Sequence, residues 1–189
     1  MGTLSAELLK KIATASASGG GTPIKDGIYR FMIHKMMIDK KFKGVCFIVE
    51  FEVVDAKSSI DGVTPNPVGS RCSYVVNLDR NVSAPGNTKA LILALLGVDE
   101  SKILDQKTGQ PASDEERNRQ IGEVVAWAVS ETNPTRGMYL DDTTFRKEIV
   151  SGANAGKPFT GHSWARVEQT SEEVAARRAE IDAKQKAAA

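Results

Sequence analysis

The fold is decided by residues Gly27 to Leu78, which read GIYRFMIHKMMIDKKFKGVCFIVEFEVVDAKSSIDGVTPNPVGSRCSYVVNL. In the segment FIVEFEV, residues 47–53, an apolar residue recurs at every second position and two glutamates lie between. Because side chains alternate between the two faces of a strand, this spacing predicts a sheet with one buried and one solvated face. Polar turns divide the stretch, and the three predicted strands cover residues 28–38, 45–54 and 71–78.

The rest of the chain adds one helix and two further strands to this prediction. The apolar stripe within residues 88–96 predicts a helix, and Gly97 is typical of a helix end. Alternating apolar residues predict a fourth strand at residues 121–132 and a fifth at residues 158–167. Residues 138–150 fit either a β-ribbon or a short helix.

This order of three strands, a helix and two strands is that of an OB-fold, a five-stranded β-barrel. We therefore expect a mainly-β chain whose barrel domain covers residues 24–169, with an insertion near residues 99–120. A helical arm and a Ser/Gly linker precede it at residues 1–23. A helical tail follows at residues 170–189, and it is expected to be exposed or fraying at Ala187 to Ala189. A two-layer sandwich with more strands is the alternative fold.

The composition is that of one domain with appendages, or at most two small domains. The chain has 189 residues, of which 41% are hydrophobic, and its formal net charge is +1. This balance excludes a binder that relies on gross positive charge, but it is compatible with a local basic groove. No secretory signal is visible, and no run approaches the roughly 20 apolar residues of a membrane span. We expect a soluble protein of a reducing compartment, with no membrane partner.

Both cysteines, Cys46 and Cys72, fall within predicted strands. We expect them to be buried free thiols, because cysteine packs as a small apolar residue. A disulfide would require that the two residues lie opposite each other on neighbouring strands.

The sequence contains no catalytic pattern and no metal-binding pattern. Its only histidines are His34 and His162, the cysteines lack metal-ligand spacing, and no phosphate-binding P-loop motif is present. The acidic pair Asp141-Asp142 fits a nuclease metal site, but a solvated turn is the favoured interpretation. The prediction is a protein that is not an enzyme and that holds no cofactor or metal.

Basic and aromatic residues come together in three clusters, and single-strand binding requires this combination. Cations neutralise backbone phosphates, and each base stacked on an aromatic ring contributes about 1–3 kcal/mol. In an OB-fold the loops after strands one and four flank the groove, so the first and third clusters are expected to face each other. The candidates are, first, Lys35, Lys40, Lys41, Phe42 and Lys43; second, Arg71, Tyr74 and Arg80; and third, Arg136, Tyr139, Phe145, Arg146, Lys147 and Lys157, with Trp164 on the last strand.

Several candidates also have a purely structural interpretation. The lysines within residues 40–43 are equally typical of a solvated turn, and Tyr74 alternates with apolar residues as a core residue would. Phe42 is the strongest stacking candidate, because its turn contains no apolar neighbour. Trp127 is expected in the core. The interpretation stays open for Phe159 and Trp164.

Five segments of the chain resemble phage-encoded single-stranded DNA-binding proteins of the OB-fold type. They are DGIY (26–29), KGVCFIVEF (43–51), VGS (68–70), GNTKAL (86–91) and GKPFT (156–160), the last of which precedes a Trp-containing strand. The resemblance implies sequence-tolerant binding of single-stranded DNA in phage replication or recombination. It also implies the cytoplasm of an infected bacterial host as location, and other phage replication or recombination proteins as partners. The departure is the C-terminus, where many members carry an acidic tail and this chain ends DAKQKAAA (182–189).

A function of another class is a virion or assembly protein whose N-terminal arm docks on a neighbouring subunit. The near-neutral charge and the 6% aromatic content suit this alternative equally well. A homo-oligomer is compatible with either function.

Overall fold

The structure is a computed structural model that describes residues 22–41, 44–79, 83–148, 155–156 and 158–187. Lys40, Lys41 and Pro158 are described by their backbone alone. The predicted helical arm and most of its linker lie outside the described residues. Thr22 and Pro23, which were expected in that linker, instead form a short strand.

One sheet contains all the strands of the described residues. Its spatial order is β1-β4-β3-β2-β5-β6. The neighbours are antiparallel except for β1, which pairs in parallel with Cys72 and Ser73 of β4. The strands are β1 (Thr22–Pro23), β2 (Ile28–Lys41), β3 (Gly44–Lys57), β4 (Arg71–Asn77), β5 (Tyr139–Glu148) and β6 (Pro158–Arg166).

The three predicted strands of the opening stretch are confirmed as β2, β3 and β4, and the fifth as β6. The open choice at residues 138–150 is resolved as a strand, β5. Asp141 and Asp142 therefore lie within a strand, and the prediction that they form a solvated turn is wrong. The sheet has six strands in the described residues instead of five, because β1 adds a short edge.

Three α-helices accompany the sheet in the described part of the chain. Helix α1 ends at Gly97, whose left-handed backbone (φ 66°) accommodates the cap that the sequence predicts. A 3-10 turn at Glu100–Lys102 follows α1. The helices are α1 (Ala84–Leu96), α2 (Asp114–Ala128) and α3 (Ser171–Ala187).

The predicted fourth strand at residues 121–132 is wrong, because most of this segment is the second half of α2. Ser113 caps the helix by accepting a hydrogen bond from the Glu116 N–H, and three acidic residues occupy its first turn. Arg119 pairs with Glu116 one turn before it and with Glu123 one turn after it. These helix-specific contacts outweigh the strand preference of the later Val and Trp residues.

The sheet curls into a half-barrel. Strands β4 and β6 are four spacings apart in the sheet, which is about 19 Å if the sheet were flat. Yet the Tyr74 ring on β4 lies only 5.4 Å from the Trp164 ring on β6. Two register shifts on β2, at Arg30/Phe31 and at Ile33/Lys35, fit this curvature, because bulges bend and twist strands.

The concave side of the half-barrel is filled by one apolar cluster that includes residues of α1. The expected burial of Cys46 and Cys72 as free thiols is confirmed. Cys46 pairs with Asn77 and Cys72 with Phe51, so the two cysteines are not opposite each other. The largest fully buried side chains of the cluster are Phe31, Ile33, Met36, Phe47, Phe51, Leu91, Ile92, Leu95 and Leu140.

The C-terminal tail is helical as predicted; Ala187, where fraying was expected to begin, is exposed, and Ala188 and Ala189 lie outside the described residues. Ile181 is 2% exposed. Arg177 donates to the carbonyl of Gly137, and Arg178 donates to those of Pro134 and Arg136. Helix α3 is thus held against the turn that leads into β5.

Candidate functional site

A cleft of about 560 Å³ lies where the curled sheet brings β4 and β6 together, beside the first turn of α1. Strand β4 supplies one wall and the β5–β6 hairpin the other. Among the described residues no hydrogen-bonded strand pairing joins β4 to β6. Five of the lining side chains are aromatic rings: Tyr74, Phe145, Phe159, His162 and Trp164.

The inner part of the cleft is a packed group of three rings. His162 and Trp164 are two positions apart on β6, so they share a face, and their rings stack at 4.8 Å with a 1° interplanar angle. Tyr74 meets both rings edge-on, with its centroid 5.0 Å from that of His162. The Trp164 ring also stacks on Phe51 of the core, at 6.1 Å. These contacts hold flat apolar surfaces in fixed positions at the seam.

The outer part of the cleft presents rings that are more open to solvent. Phe159 is 44% exposed. The Phe145 ring lies across Gly161, and a Cβ atom on Gly161 would overlap it. The ammonium group of Lys147 sits 4.8 Å from the centroid of the Phe145 ring, in a cation–π contact. A planar ligand could therefore stack on a ring that already has a cation beside it.

The ring of His162 is hydrogen-bonded to the buried carboxylate of Asp142. Nδ1 of His162 is 2.7 Å from Oδ2 of Asp142, whose side chain is 0% exposed. Burial raises the pKa of Asp142, and the hydrogen bond from His162 opposes that rise. When the Asp142 carboxylate is ionised it can only accept a hydrogen bond, so Nδ1–H is then the donor and Nε2 is the remaining polar atom of the ring.

The charge of the cleft is positive. Lys147 is the only charged residue lining it among the described residues, and no carboxylate lines it. Ser83 and Asn87 of the first turn of α1 also line it, and that turn contains no acidic residue. The partial positive charge of a helix N-terminus therefore adds to that of Lys147.

Burial keeps two further groups near the cleft neutral around pH 7. It raises the pKa of the Tyr74 hydroxyl to about 12, and that of the Cys72 thiol also to about 12. Asp142 raises both pKa values further. The inner cleft thus carries no negative charge from these groups.

Of the residues predicted to bind nucleic acid, the structure brings Tyr74, Phe145, Lys147 and Trp164 together in the cleft. Arg146 is on the same strand but points away from Lys147, because neighbouring strand residues face opposite sides. Its guanidinium is paired at 2.6 Å with the buried Asp26. Arg146 therefore does not join Phe145 and Lys147 in the cleft.

Arg136 and Tyr139, from the same predicted cluster, lie under α3 and not at the cleft. Arg136 pairs with Asp182 at 2.7 Å, and the guanidinium carbon of Arg177 lies 3.9 Å from the centroid of the Tyr139 ring. The backbone N–H of Tyr139 also donates to the side-chain oxygen of Gln169, and the Tyr139 carbonyl accepts a hydrogen bond from the side-chain nitrogen of Gln169. Both residues therefore help to attach the C-terminal helix, and neither lines the cleft.

The other two predicted clusters are only partly described. Lys35 is exposed on β2 opposite Glu50, and Arg71 lies beside Glu52 at 3.7 Å, so neither lines the cleft. Lys40 and Lys41 are described by their backbone alone. Phe42, Lys43, Arg80 and Lys157 lie outside the described residues.

Sequence reasoning left Phe159 open and did not select His162 at all. The signal for His162 was its spacing of two from Trp164, which places both side chains on one face of a strand. Trp127 was expected in the core, but it is 48% exposed on α2, because its segment is a helix and not a strand.

A second polar group lies elsewhere, around the bulge of β2. His34 falls at the register shift between Ile33 and Lys35, and its side chain is 4% exposed. Its Nε2 is 3.0 Å from Glu52, and Glu52 in turn is 3.7 Å from Arg71. Desolvation, reinforced by the charge of Arg71, lowers the pKa of His34 to about 4. His34 is therefore neutral at physiological pH and partly satisfied, as a core histidine would be.

The described residues include no group of three or more His, Cys, Asp or Glu side chains arranged to hold a metal ion. No helix in the described part of the chain is long and apolar enough to span a membrane. Comparison with protein-family models finds no match, and no curated protein sequence matches the chain.

Proposed function

We propose that the chain binds single-stranded DNA with little sequence preference, and that the cleft between β4 and β6 is where it does so. The observation that carries the proposal is the combination of the outer rings Phe159 and Phe145 with Lys147, beside the packed Trp164 and without a carboxylate among the described lining residues. Rings stack on any base and cations follow the phosphates, so this chemistry is sequence-tolerant.

The strand order supports an OB-type barrel as the finer description of the fold. Strands β2, β3 and β4 form a meander, and β5 pairs back onto β2 with β6 beside it. Helix α1 lies between the third and fourth long strands, as in that fold. Together with the resemblance of the five sequence segments, this order favours a role in phage replication or recombination.

The test is a titration of fluorescently labelled oligo-dT, followed by anisotropy at low salt. We expect Phe159→Ala to weaken binding by roughly 5- to 150-fold, because one base stack contributes about 1–3 kcal/mol. Stability should change little, since Phe159 is half exposed.

Trp127→Ala is the matched control, because it also removes a half-exposed ring but one that does not line the cleft. It should leave the affinity unchanged. Equal affinities for the wild type and Phe159→Ala would show that the cleft is not the binding site. Absence of binding by the wild type at low salt would end the proposal itself.

Light scattering with and without the oligonucleotide tests the alternative of an assembly protein in the same samples. Single-strand binding predicts particles whose mass grows by that of the bound DNA. Large closed assemblies that form without DNA and ignore it would favour the assembly function instead.

A further inference from the structure

The cleft contains one polar arrangement that base stacking does not use. Asp142 is fully buried behind the cleft, and its carboxylate is bonded to Nδ1 of His162. The His162 side chain is 12% exposed and lines the cleft. A carboxylate on the protein side of an imidazole fixes its orientation and favours its positive form.

We propose that His162, oriented by Asp142, binds a phosphate of the DNA strand through Nε2 and takes up a proton as it does so. This inference rests on the proposed function of the cleft. The bound arrangement would alternate in charge, from the Asp142 carboxylate through the His162 imidazolium to the phosphate. An N–H donor that carries positive charge makes a shorter and stronger hydrogen bond to phosphate than a neutral one.

The surroundings of His162 fit an anion at this position. Lys147 of β5 and the first turn of α1, with Ser83 and Asn87, line the same cleft. On the Trp164 side, a positive imidazole would lie flat on an indole face, which attracts cations.

The other titratable groups around His162 have defined roles in the pH dependence. From β4 these are Tyr74 and, beside Asp142, Cys72, whose pKa values of about 12 keep both neutral in the working range. From β5 they are Asp142 and Lys147. Asp142 and His162 thus remain as the hydrogen-bonded titratable pair of the cleft, and a substitution at each residue separates their contributions.

The experiment measures the affinity for labelled oligo-dT from about pH 8 to about pH 5, the range in which histidines exchange protons. For the wild type we expect binding to tighten by about tenfold as pH falls, which is the effect of one pKa unit. Calorimetry in buffers of different ionisation enthalpy should show net proton uptake on binding at about pH 7. His162→Gln retains an amide donor but cannot titrate, so its affinity should no longer depend on pH. Asp142→Asn should shift the pH dependence to lower pH.

His34→Gln is the matched control, because it removes the chain's other histidine at a site away from the cleft. It should retain the pH dependence of binding. Thermal unfolding of each variant at each pH verifies that the protein is folded. If the wild type binds with no pH dependence, or if His162→Gln keeps that dependence, the inference is overturned while the proposed function stands. If the wild type binds at no pH, both are overturned.

Discussion

At the scale of single residues, the two histidines of the chain differ in the burial of their carboxylate partners and in the charges around them. His34 and His162 each contact one carboxylate, but Glu52 is partly exposed whereas Asp142 is fully buried. His34 also has the positive charges of Arg71 and Arg136 nearby, and these disfavour its protonation. The same residue type therefore acts as a neutral core group at one site and faces a ligand cleft at the other.

His34 should make the fold less stable in mild acid. Its folded pKa of about 4 lies below the unfolded value of 6.5, so the unfolded state binds the proton more readily. Its contribution to stability is complete above the unfolded pKa and is lost as pH falls from there toward the folded pKa. We expect a loss on the order of 1 kcal/mol between about pH 7.5 and about pH 5.5.

Urea unfolding at both pH values checks this expectation. His34→Gln still offers Glu52 a donor but does not titrate, so the stability of that variant should fall less over the same interval. An identical pH dependence in the wild type and the variant would contradict the assignment.

Gly161→Ala should reduce DNA binding more than stability. The added Cβ would overlap the Phe145 ring, which must then leave its place across β6. Since a ring at the end of a flexible side chain can move, we expect a stability loss below about 1 kcal/mol but a several-fold loss of affinity.

Gly122→Ala, on α2 and away from the cleft, is the control for this substitution, because a Cβ there has no neighbour within 4 Å. Chemical denaturation and the oligo-dT titration measure the two effects. Unchanged affinity in Gly161→Ala would show that the position of Phe145 is irrelevant to binding.

At the scale of elements, strands were easier to predict than α2. Alternating apolar and polar residues predict strands β2, β3 and β4 from the sequence. A stripe of leucines that ends before Gly97 predicts α1. Helix α2 ends in Val124, Val125, Ala126 and Trp127, a run that is also typical of a strand. The helix is favoured by the Ser113 cap at its start and by the ion pairs of Arg119 with Glu116 and Glu123, each of which spans about one turn.

The docking of α3 should contribute measurably to stability. Ile181 is 2% exposed, so Ile181→Ala should cost about 2–5 kcal/mol, the usual loss for truncating a buried aliphatic side chain. Urea unfolding followed by circular dichroism measures the difference.

Glu180→Ala, at an exposed neighbouring position, should change stability by less than about 0.5 kcal/mol. Equal stability of Ile181→Ala and the wild type would indicate that α3 frays in solution, as the composition of the tail alone suggests.

At the scale of the whole molecule, the candidate site was harder to predict than the strands. The predicted clusters grouped residues by closeness in sequence, but a strand sends neighbours to opposite sides, as Arg146 and Lys147 show. Arg136 and Tyr139 were misplaced because the tail was not expected to pack on them. The meeting of Tyr74 with Trp164 depends on the curl of the sheet, which no local pattern encodes.

The described cleft should contribute only a small part of the salt dependence of the proposed binding to single-stranded DNA. Each phosphate contact contributes about −0.7 to the slope of log affinity against log salt for a single strand. Lys147 is the one charged lining residue described, so we expect it to contribute about −0.7 to the slope, and a phosphate contact of His162 would add a similar amount.

Anisotropy titrations over a range of salt concentrations give this slope. Lys147→Gln should make it shallower by about 0.7, whereas Lys35→Gln, on β2 and outside the cleft, should leave it unchanged. A wild-type slope steeper than about −3 would show that the strand runs mainly along other basic side chains.

The seam between β4 and β6 is closed by rings and by no ladder hydrogen bonds in the described residues. In the described residues, separating β4 from β6 would therefore break side-chain contacts but no hydrogen bonds between paired strands. Under the proposed function we expect a polynucleotide to enter this slot from the side, without a free end having to thread through it. Circular single-stranded DNA should accordingly be captured as readily as a linear molecule of equal length, which a gel-shift competition between the two measures.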